Sequence, residues 1–173
     1  MQEIEQMVVK AQQGDQHAFA ELIRSIHKVS YRLAKSILAK DEDCADAMQE
    51  AIIKAYQNLE QLREPKYFKS WFSKILIHQC YRLHNKRKKV ISLQDAQQEI
   101  PVQEAYERVE FRDLVSRLEE PFRLVVTLYY LEKYSLQEVA DLLELPSGTV
   151  KSRLYRARQM LQNFLEAKEV HTI

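Results

Sequence analysis

Between Ser135 and Arg158 the chain sets short hydroxyls and cations at helical spacing. These are the residue types that hydrogen-bond base edges and neutralise phosphates. At about 100° per residue, Thr149, Ser152, Tyr155 and Arg156 point one way, with Lys151, Arg153 and Arg158 on the flanks and Ser147 at the head. Val150, Leu154, Ala157 and Leu161 recur at three- and four-residue steps and are expected in a core. The chemistry this implies is non-covalent recognition of duplex DNA, the plain alternative being a solvated basic face on an ordinary helical hairpin. Its positioning elements are legible too. Ser135 with Glu138 forms a capping box that starts a first helix. Pro146 cannot continue that helix, and Ser147 can cap a second. The spacing predicts a helix-turn-helix.

A second stretch with chemistry lies upstream. Tyr67, Phe68, Trp71 and Phe72 interleave with Lys66, Lys69, Lys74 and Arg82, ahead of a basic end Asn85-Lys86-Arg87-Lys88-Lys89. Such a surface can stack bases while its cations follow a phosphate backbone. Trp71 and Phe72 are expected to be largely core, and the basic end to touch nucleic acid. Charge is segregated accordingly. Residues 63–90 carry nine Lys/Arg against one Asp/Glu, residues 1–62 seven against ten, and residues 91–121 three against eight. A net charge of +1 therefore conceals two modules with different electrostatic partners.

Composition excludes several classes. Two glycines and four prolines in 173 residues argue against a glycine-rich phosphate loop and against a turn-rich β fold. Cys44 and Cys80 have no paired spacing, so neither a zinc knuckle nor a disulfide framework is expected; two buried thiols in a reducing cytoplasm fit better. The five histidines, His17, His27, His78, His84 and His171, show no metal or triad spacing. No catalytic residue, metal or cofactor is expected, and no apolar run is long enough to insert in a membrane.

The remaining periodicity is helical throughout, so an all-α fold is expected. Ile4, Met7, Val8 and Ala11 mark a short helix closed by Gly14, and Asp15 can begin a second with a stripe through Phe19, Leu22, Ile23, Ile26, Leu33, Ala34, Ile37 and Leu38. Lys40-Asp41-Glu42-Asp43 is expected to break it. A third helix should run to about Leu62, burying Met48, Ala51, Ile52, Ala55, Leu59 and Leu62. Its other face holds Asp46, Gln49, Glu50 and Gln57 with Ile53 among them, an apolar residue open to two readings, a partner contact or one of the scattered apolar residues common on surfaces. Residues 90–104 lack periodicity and read as a flexible linker; helical pattern returns at Val109, Leu114, Val115 and Leu118, and Pro121 can open a helix to Leu131.

With both modules placed, the chain resembles the extracytoplasmic-function (group four) sigma factors of bacterial RNA polymerase. Gly14-Asp15 with Ala18-Phe19 and Leu22 resembles the family's opening. Tyr31-Arg32-Leu33-Ala34, Asp43-Cys44-Ala45-Asp46-Ala47-Met48-Gln49-Glu50 and Phe68-Lys69-Ser70-Trp71-Phe72 resemble parts of its region two, and Arg123 to Leu161 resembles region four. The resemblance implies two helical domains, 1–89 (region two) and 111–173 (region four), joined by a linker, 90–110. It implies that Asp46, Gln49, Glu50 and Ile53 grip the polymerase β′ clamp helices. Lys66, Tyr67, Lys69, Ser70, Lys74, His78, Tyr81, Arg82, Asn85 and Lys88 would bind the minus-ten element. Ser147, Thr149, Lys151, Ser152, Arg153, Tyr155, Arg156 and Arg158 would bind the minus-thirty-five element. Partners would be core RNA polymerase (β′ clamp helices and β flap), promoter DNA and an anti-sigma factor, in the cytoplasm, with a stress or envelope-signal regulon.

Ala45 and Ile52 stand where an acidic residue and Phe are usual, His78 and Arg82 where Asn and Asp are common, and Glu144 where a turn glycine is often seen. The rival reading is a stand-alone helix-turn-helix regulator with an N-terminal dimerisation or sensing bundle. It would bind DNA specifically without polymerase.

Overall fold

The computed structural model describes residues 2–91 and 106–170, with side chains placed from 3 to 86 and from 111 to 166. Among these residues there are eight α-helices and no strand, in two compact units, Met1–Asp95 and Ala96–Ile173.

The first unit holds α1 (Gln2–Gln12), α2 (Gln16–Ile37), α3 (Asp41–Asn58) and α4 (Phe68–Ile91). Gly14 lies at φ +94°, which lets the chain reverse after α1, and Asp15 caps α2 by accepting from the amides of His17 and Ala18 at 2.9 and 3.0 Å. The acidic run does not break the chain as expected. The break is Leu38–Lys40, and Asp41, Glu42 and Asp43 form the first turn of α3, where carboxylates meet the positive end of the helix. Tyr31 Oη donates to Asp41 Oδ1 at 2.8 Å, and Lys35 Nζ donates to the same oxygen at 2.6 Å and to the Ala39 carbonyl at 2.9 Å. Three groups thus tie the corner between α2 and α3.

Helix α3 ends at Asn58 rather than Leu62 and tightens into a 3₁₀ turn, Leu59–Gln61. The Gln12 amide of α1 holds this turn through the carbonyls of Leu59 (3.0 Å) and Leu62 (2.8 Å). Cys44, Ala47, Ala51 and Ala55 line the inner face of α3 with no exposed surface, and side chains this small let α3 pack closely on α4 and α2. Phe68, Trp71 and Phe72 of the aromatic cluster begin α4, and Tyr67 closes the 3₁₀ turn Pro65–Tyr67 just before it. Phe68 and Phe72, four apart, share the buried face, whereas Trp71 is rotated off it and is only half-buried.

The second unit holds α5 (Tyr106–Ser116), α6 (Glu120–Val126), α7 (Leu136–Leu143) and α8 (Ser147–Val170). Helix α4 runs to Ile91 and α5 starts at Tyr106, so helix enters the expected linker from both sides; residues 92–105 lie outside the described residues. Pro121 sits in the first turn of α6, but regular helix stops at Val126 and a π-helical turn, Thr127–Leu131, follows, with the Glu132 amide reaching the Thr127 carbonyl at 2.9 Å. The capping box forms: the Glu138 amide donates to Ser135 Oγ at 3.2 Å and the Ser135 amide to Glu138 Oε2 at 2.8 Å. Glu144, at φ +54°, ends α7 in the left-handed region, and the Leu145 amide closes back on the Ala140 carbonyl at 3.0 Å. Val150, Leu154, Ala157 and Leu161 of α8 are buried as their spacing predicts, and α8 packs on both α6 and α7.

Two outcomes follow from these contacts. A residue with a Cβ in the left-handed region costs about 1–2 kcal/mol relative to glycine. Glu144→Gly should therefore raise the melting temperature of the second unit by a few degrees, corresponding to about 1 kcal/mol. A fall, measured by differential scanning calorimetry, would show that the contacts of the Glu144 side chain outweigh the backbone relief.

The corner tie sets a pH window. Its hydrogen bond to Asp41 pushes the Tyr31 phenol from 10.0 up to about 12, so the stabilisation is present below pH 10 and is lost as pH rises through the folded value. Hydrogen bonds from Lys35 and Tyr31 lower the Asp41 pKa from 3.8, so its contribution is present above that value and lost as pH falls below it. Tyr31→Phe should flatten the alkaline fall of the first unit's melting temperature. Parent and variant curves that stay parallel from pH 9 to 11.5 would remove the tie from the stability of this corner.

Candidate nucleic-acid and protein interfaces

Three surfaces carry the residues singled out by the sequence. The first is the outer face of α3. Asp46 and Gln49 are exposed, Glu50 is half-exposed, and Ile53 keeps 43% of its surface. Helical geometry groups these with Tyr56, three residues beyond Ile53 and 50% exposed, whose ring meets Phe19 edge-on at 5.1 Å between centroids. Ile52, expected on the buried side, is half-buried instead. With His27, Tyr31, Ala45, Met48 and Gln49 it lines an open groove of about 360 Å³ between α2 and α3. Gln49 belongs to both features, so the acidic face continues into an apolar one. The signal for Tyr56 was present in the sequence, because 49, 53 and 56 are spaced as one helix face. An aromatic at that spacing is equally compatible with a core.

The second surface runs along α4. Ser70, Lys74, His78, Tyr81 and Asn85 repeat at three- and four-residue steps, so they share one face. Lys74, His78 and Asn85 are exposed; Ser70 and Tyr81 are half-buried. Tyr67, also exposed, stands in the turn at the head of this stripe, and Lys66 Nζ lies 4.9 Å from its ring centroid and 3.7 Å from Glu64. The Ser70 hydroxyl donates to the Tyr67 carbonyl at 3.0 Å, fixing the turn to the helix. Below them Phe68 and Phe72 are wholly buried, so the ring of Tyr67 is presented from a rigid base. The structure separates two members of the set. Lys69 lies about 140° around the helix from Lys74, off the stripe. Arg82 sits at its edge and turns towards α3, with Nη2 at 3.5 Å from Glu50 Oε2. The Lys88 side chain lies outside the described residues.

The third surface is the solvent face of α8. Ser147, Lys151, Ser152, Tyr155, Arg156 and Arg158 are exposed, and Thr149 and Arg153 are half-buried. Tyr155 keeps 60% of its surface, and its hydroxyl accepts from the Gln159 amide at 3.0 Å. Ser152 Oγ donates to the Thr149 carbonyl at 2.9 Å, and Arg158 Nε to the Leu154 carbonyl at 3.4 Å. Lys151, Arg153 and Arg156 have no ion-pair or hydrogen-bond partner among the described residues. Three cations on two turns without internal partners form a surface already prepared for an external polyanion.

Nucleophilic chemistry finds no support on these surfaces. Cys44 and Cys80 are buried; burial pushes their thiols up to about 11 and about 12, which leaves almost no thiolate at neutral pH. Among the described residues no group of three His, Cys, Asp or Glu side chains could hold a metal ion, and no helix is long and apolar enough to cross a membrane.

Comparison with known proteins places these surfaces in a family. The Sigma-70 region 2 model matches residues 22–90, which contain α3 and nearly all of α4, and the Sigma-70, region 4 model matches residues 108–161, which contain the helix-turn-helix. The chain is 31% identical to the ECF RNA polymerase sigma-E factor of Haemophilus influenzae, an alignment covering 92% of this chain and 94% of that one. It is 30% identical to the sigma-E factor of Escherichia coli K12 over 91% of each, and 31% identical to RNA polymerase sigma factor SigV of Bacillus subtilis over 76% of this chain and 81% of that one. The fold is shared with two solved structures at 22% identity and a TM-score of 0.69. One is CnrH in complex with the cytosolic domain of CnrY (95% of this chain, 98% of that one). The other is the sigma factor RpoE in complex with the anti-sigma factor NepR from Bartonella quintana (84% and 97%). Two region models in order, with relatives aligned over nearly the whole length, show that the chain belongs to the extracytoplasmic-function (ECF) sigma factors of RNA polymerase.

Proposed function

We propose that this sigma factor divides promoter recognition among the three surfaces described above. As a member of its family it directs transcription initiation and is not an enzyme; bond formation belongs to the polymerase. The proposal concerns which residues do what. Asp46, Gln49, Glu50 and Ile53, extended by Tyr56 and the groove beside Ile52, would dock on the β′ clamp helices. Lys66, Tyr67, Ser70, Lys74, His78, Tyr81, Arg82 and Asn85 would hold the minus-ten element, with Tyr67 placed to stack an unpaired base. Lys69 and Lys88 would add charge beside it. Ser147, Thr149, Lys151, Ser152, Arg153, Tyr155, Arg156 and Arg158 would enter the major groove at minus thirty-five. Residues 1–89 and 111–173 would act as the two domains and 90–110 as their connector.

The observation that carries this reading is that, among the described residues, Lys151, Arg153 and Arg156 have no partner, on a helix whose other side is buried. Working with the polymerase, the protein would act in the cytoplasm, and a stress or envelope-signal regulon held by an anti-sigma factor fits relatives of this kind. The solved neighbours that carry partners are consistent with the last point. Run-off transcription with purified core polymerase on a genomic promoter library tests the function directly. Specific transcripts that appear only with both proteins are expected; specific DNA binding without core would favour a stand-alone regulator.

On the α3 face, Glu50→Lys combined with Ile53→Asp should weaken core binding by about tenfold or more, as expected when a central apolar contact and its neighbouring charge are both reversed. Helical circular dichroism should stay at the parent's level. Unchanged competition for core would move the docking site elsewhere.

On α8 the two kinds of contact should separate. Arg156→Ala should lower promoter use with a cost of about 1–3 kcal/mol if its partner is guanine, and the loss should depend on the minus-thirty-five sequence. Lys151→Ala should weaken binding uniformly across sequences and reduce the salt slope by about one charge. Equal transcription by parent and both variants across minus-thirty-five sequences would remove this helix from the promoter interface.

A further inference from the structure

We propose that the Glu50–Arg82 ion pair couples the two surfaces of the first unit: in the free protein it withholds a DNA-contacting arginine, and it releases that arginine when a cationic group of core polymerase engages Glu50. The inference rests on the assignment of α3 to polymerase and α4 to DNA. Its starting point is geometry. Arg82 Nη2 lies 3.5 Å from Glu50 Oε2, across the seam between α4 and α3. Glu50 is at the edge of the docking face that includes Asp46, Gln49 and Ile53; Arg82 is at the edge of the stripe that includes Lys74, His78 and Asn85. The pair is therefore where the two surfaces meet.

Both side chains are partly solvated, at 54% for Arg82 and 46% for Glu50. An ion pair this exposed is weak, so either partner can be taken by a better-placed external charge at little cost. That weakness suits an exchangeable contact better than a structural bolt. A guanidinium facing a carboxylate adds little net charge to the stripe, whereas a released one adds a full cation and five donors suited to phosphate. The coupling is reciprocal: by whatever factor bound polymerase strengthens DNA binding, bound DNA strengthens polymerase binding.

The test uses the full chain, a fluorescein-labelled single-stranded oligonucleotide and a potassium chloride series, with and without saturating core polymerase. In the free protein Glu50→Gln should raise DNA affinity about two- to five-fold. It should also steepen the salt dependence by a little under one unit, as expected for one added phosphate contact on a single strand. Arg82→Ala should leave the free protein's affinity near the parent's and lower it in holoenzyme, and the double variant Glu50→Gln with Arg82→Ala should match Arg82→Ala alone. In holoenzyme the ratio between Glu50→Gln and parent should shrink towards one. An equal gain in the Arg82→Ala background would show a general charge effect and overturn the coupling, as would a ratio unchanged by core. Lys74→Ala separates the levels. If it weakens DNA binding while Glu50→Gln changes nothing, the coupling fails and the α4 assignment stands; if neither has an effect, the assignment falls and the coupling with it.

Discussion

The packing of α3 on α4 through a seam of small side chains is the constraint on which the first unit depends. Cys44, Ala47, Ala51 and Ala55 give α3 an inner face with no bulk, so the aromatic and branched residues of α4, Phe68, Phe72, Leu76 and Ile77, fill the space between. Two amphipathic helices held this closely must turn their remaining faces outward side by side. The acidic-apolar face and the basic-aromatic stripe are thus neighbours by geometry. A larger residue at Ala51 would do more than strain the core. It would rotate or lift α3 and pull the two surfaces out of register.

In the second unit the corresponding constraint is the anchoring of α8. Its first half is fixed by Val150, Leu154 and Ala157 against α6 and α7, and an exposed face follows from the helical period. The turns that aim it are less relaxed. Lys133 and Glu144 both hold positive φ without being glycine, and a π-helical turn separates α6 from Lys133. Closing the Leu145 amide on Ala140 completes the cap despite the Cβ, so the geometry survives a residue type that does not favour it. The recognition surface is therefore positioned by a core that tolerates a strained turn.

Most of this was legible in the sequence, and what was not shares one cause. Helical stripes, the Asp15 cap, the Ser135–Glu138 box and the buried side of α8 are local signals, and each is found where its spacing put it. Boundaries set by tertiary contacts were not legible. Carboxylates at a helix start look like a break until the helix dipole and the Tyr31–Asp41 tie are known. Trp71 and Ile52 are apolar residues whose burial depends on which neighbour covers them, and here the neighbours leave both part-exposed. Tyr56 carries the same ambiguity, since only its neighbours decide whether the ring is core or contact. The Glu50–Arg82 pair joins residues on different helices, and a single chain without its fold offers no means of pairing them.

These surfaces also bear on why such a protein depends on a partner. Opening a promoter requires unstacking bases, and an aromatic platform returns about 1–3 kcal/mol per base. One exposed tyrosine, backed by lysines that carry interactions of their own, is a small platform. The α8 face carries three cations with no partner among the described residues, and in the reading proposed above it contacts duplex, so it gains nothing from strand opening. Neither surface alone can both find and open a promoter. Fixing both on one scaffold turns the second contact into an intramolecular one, whose effective concentration is set by the connection rather than by new contacts. When the individual terms are this modest, the proposed release of one arginine from an exposed ion pair is no longer negligible. In the coupling proposed above it adds charge to the α4 surface at the step where the α8 surface has already located the site.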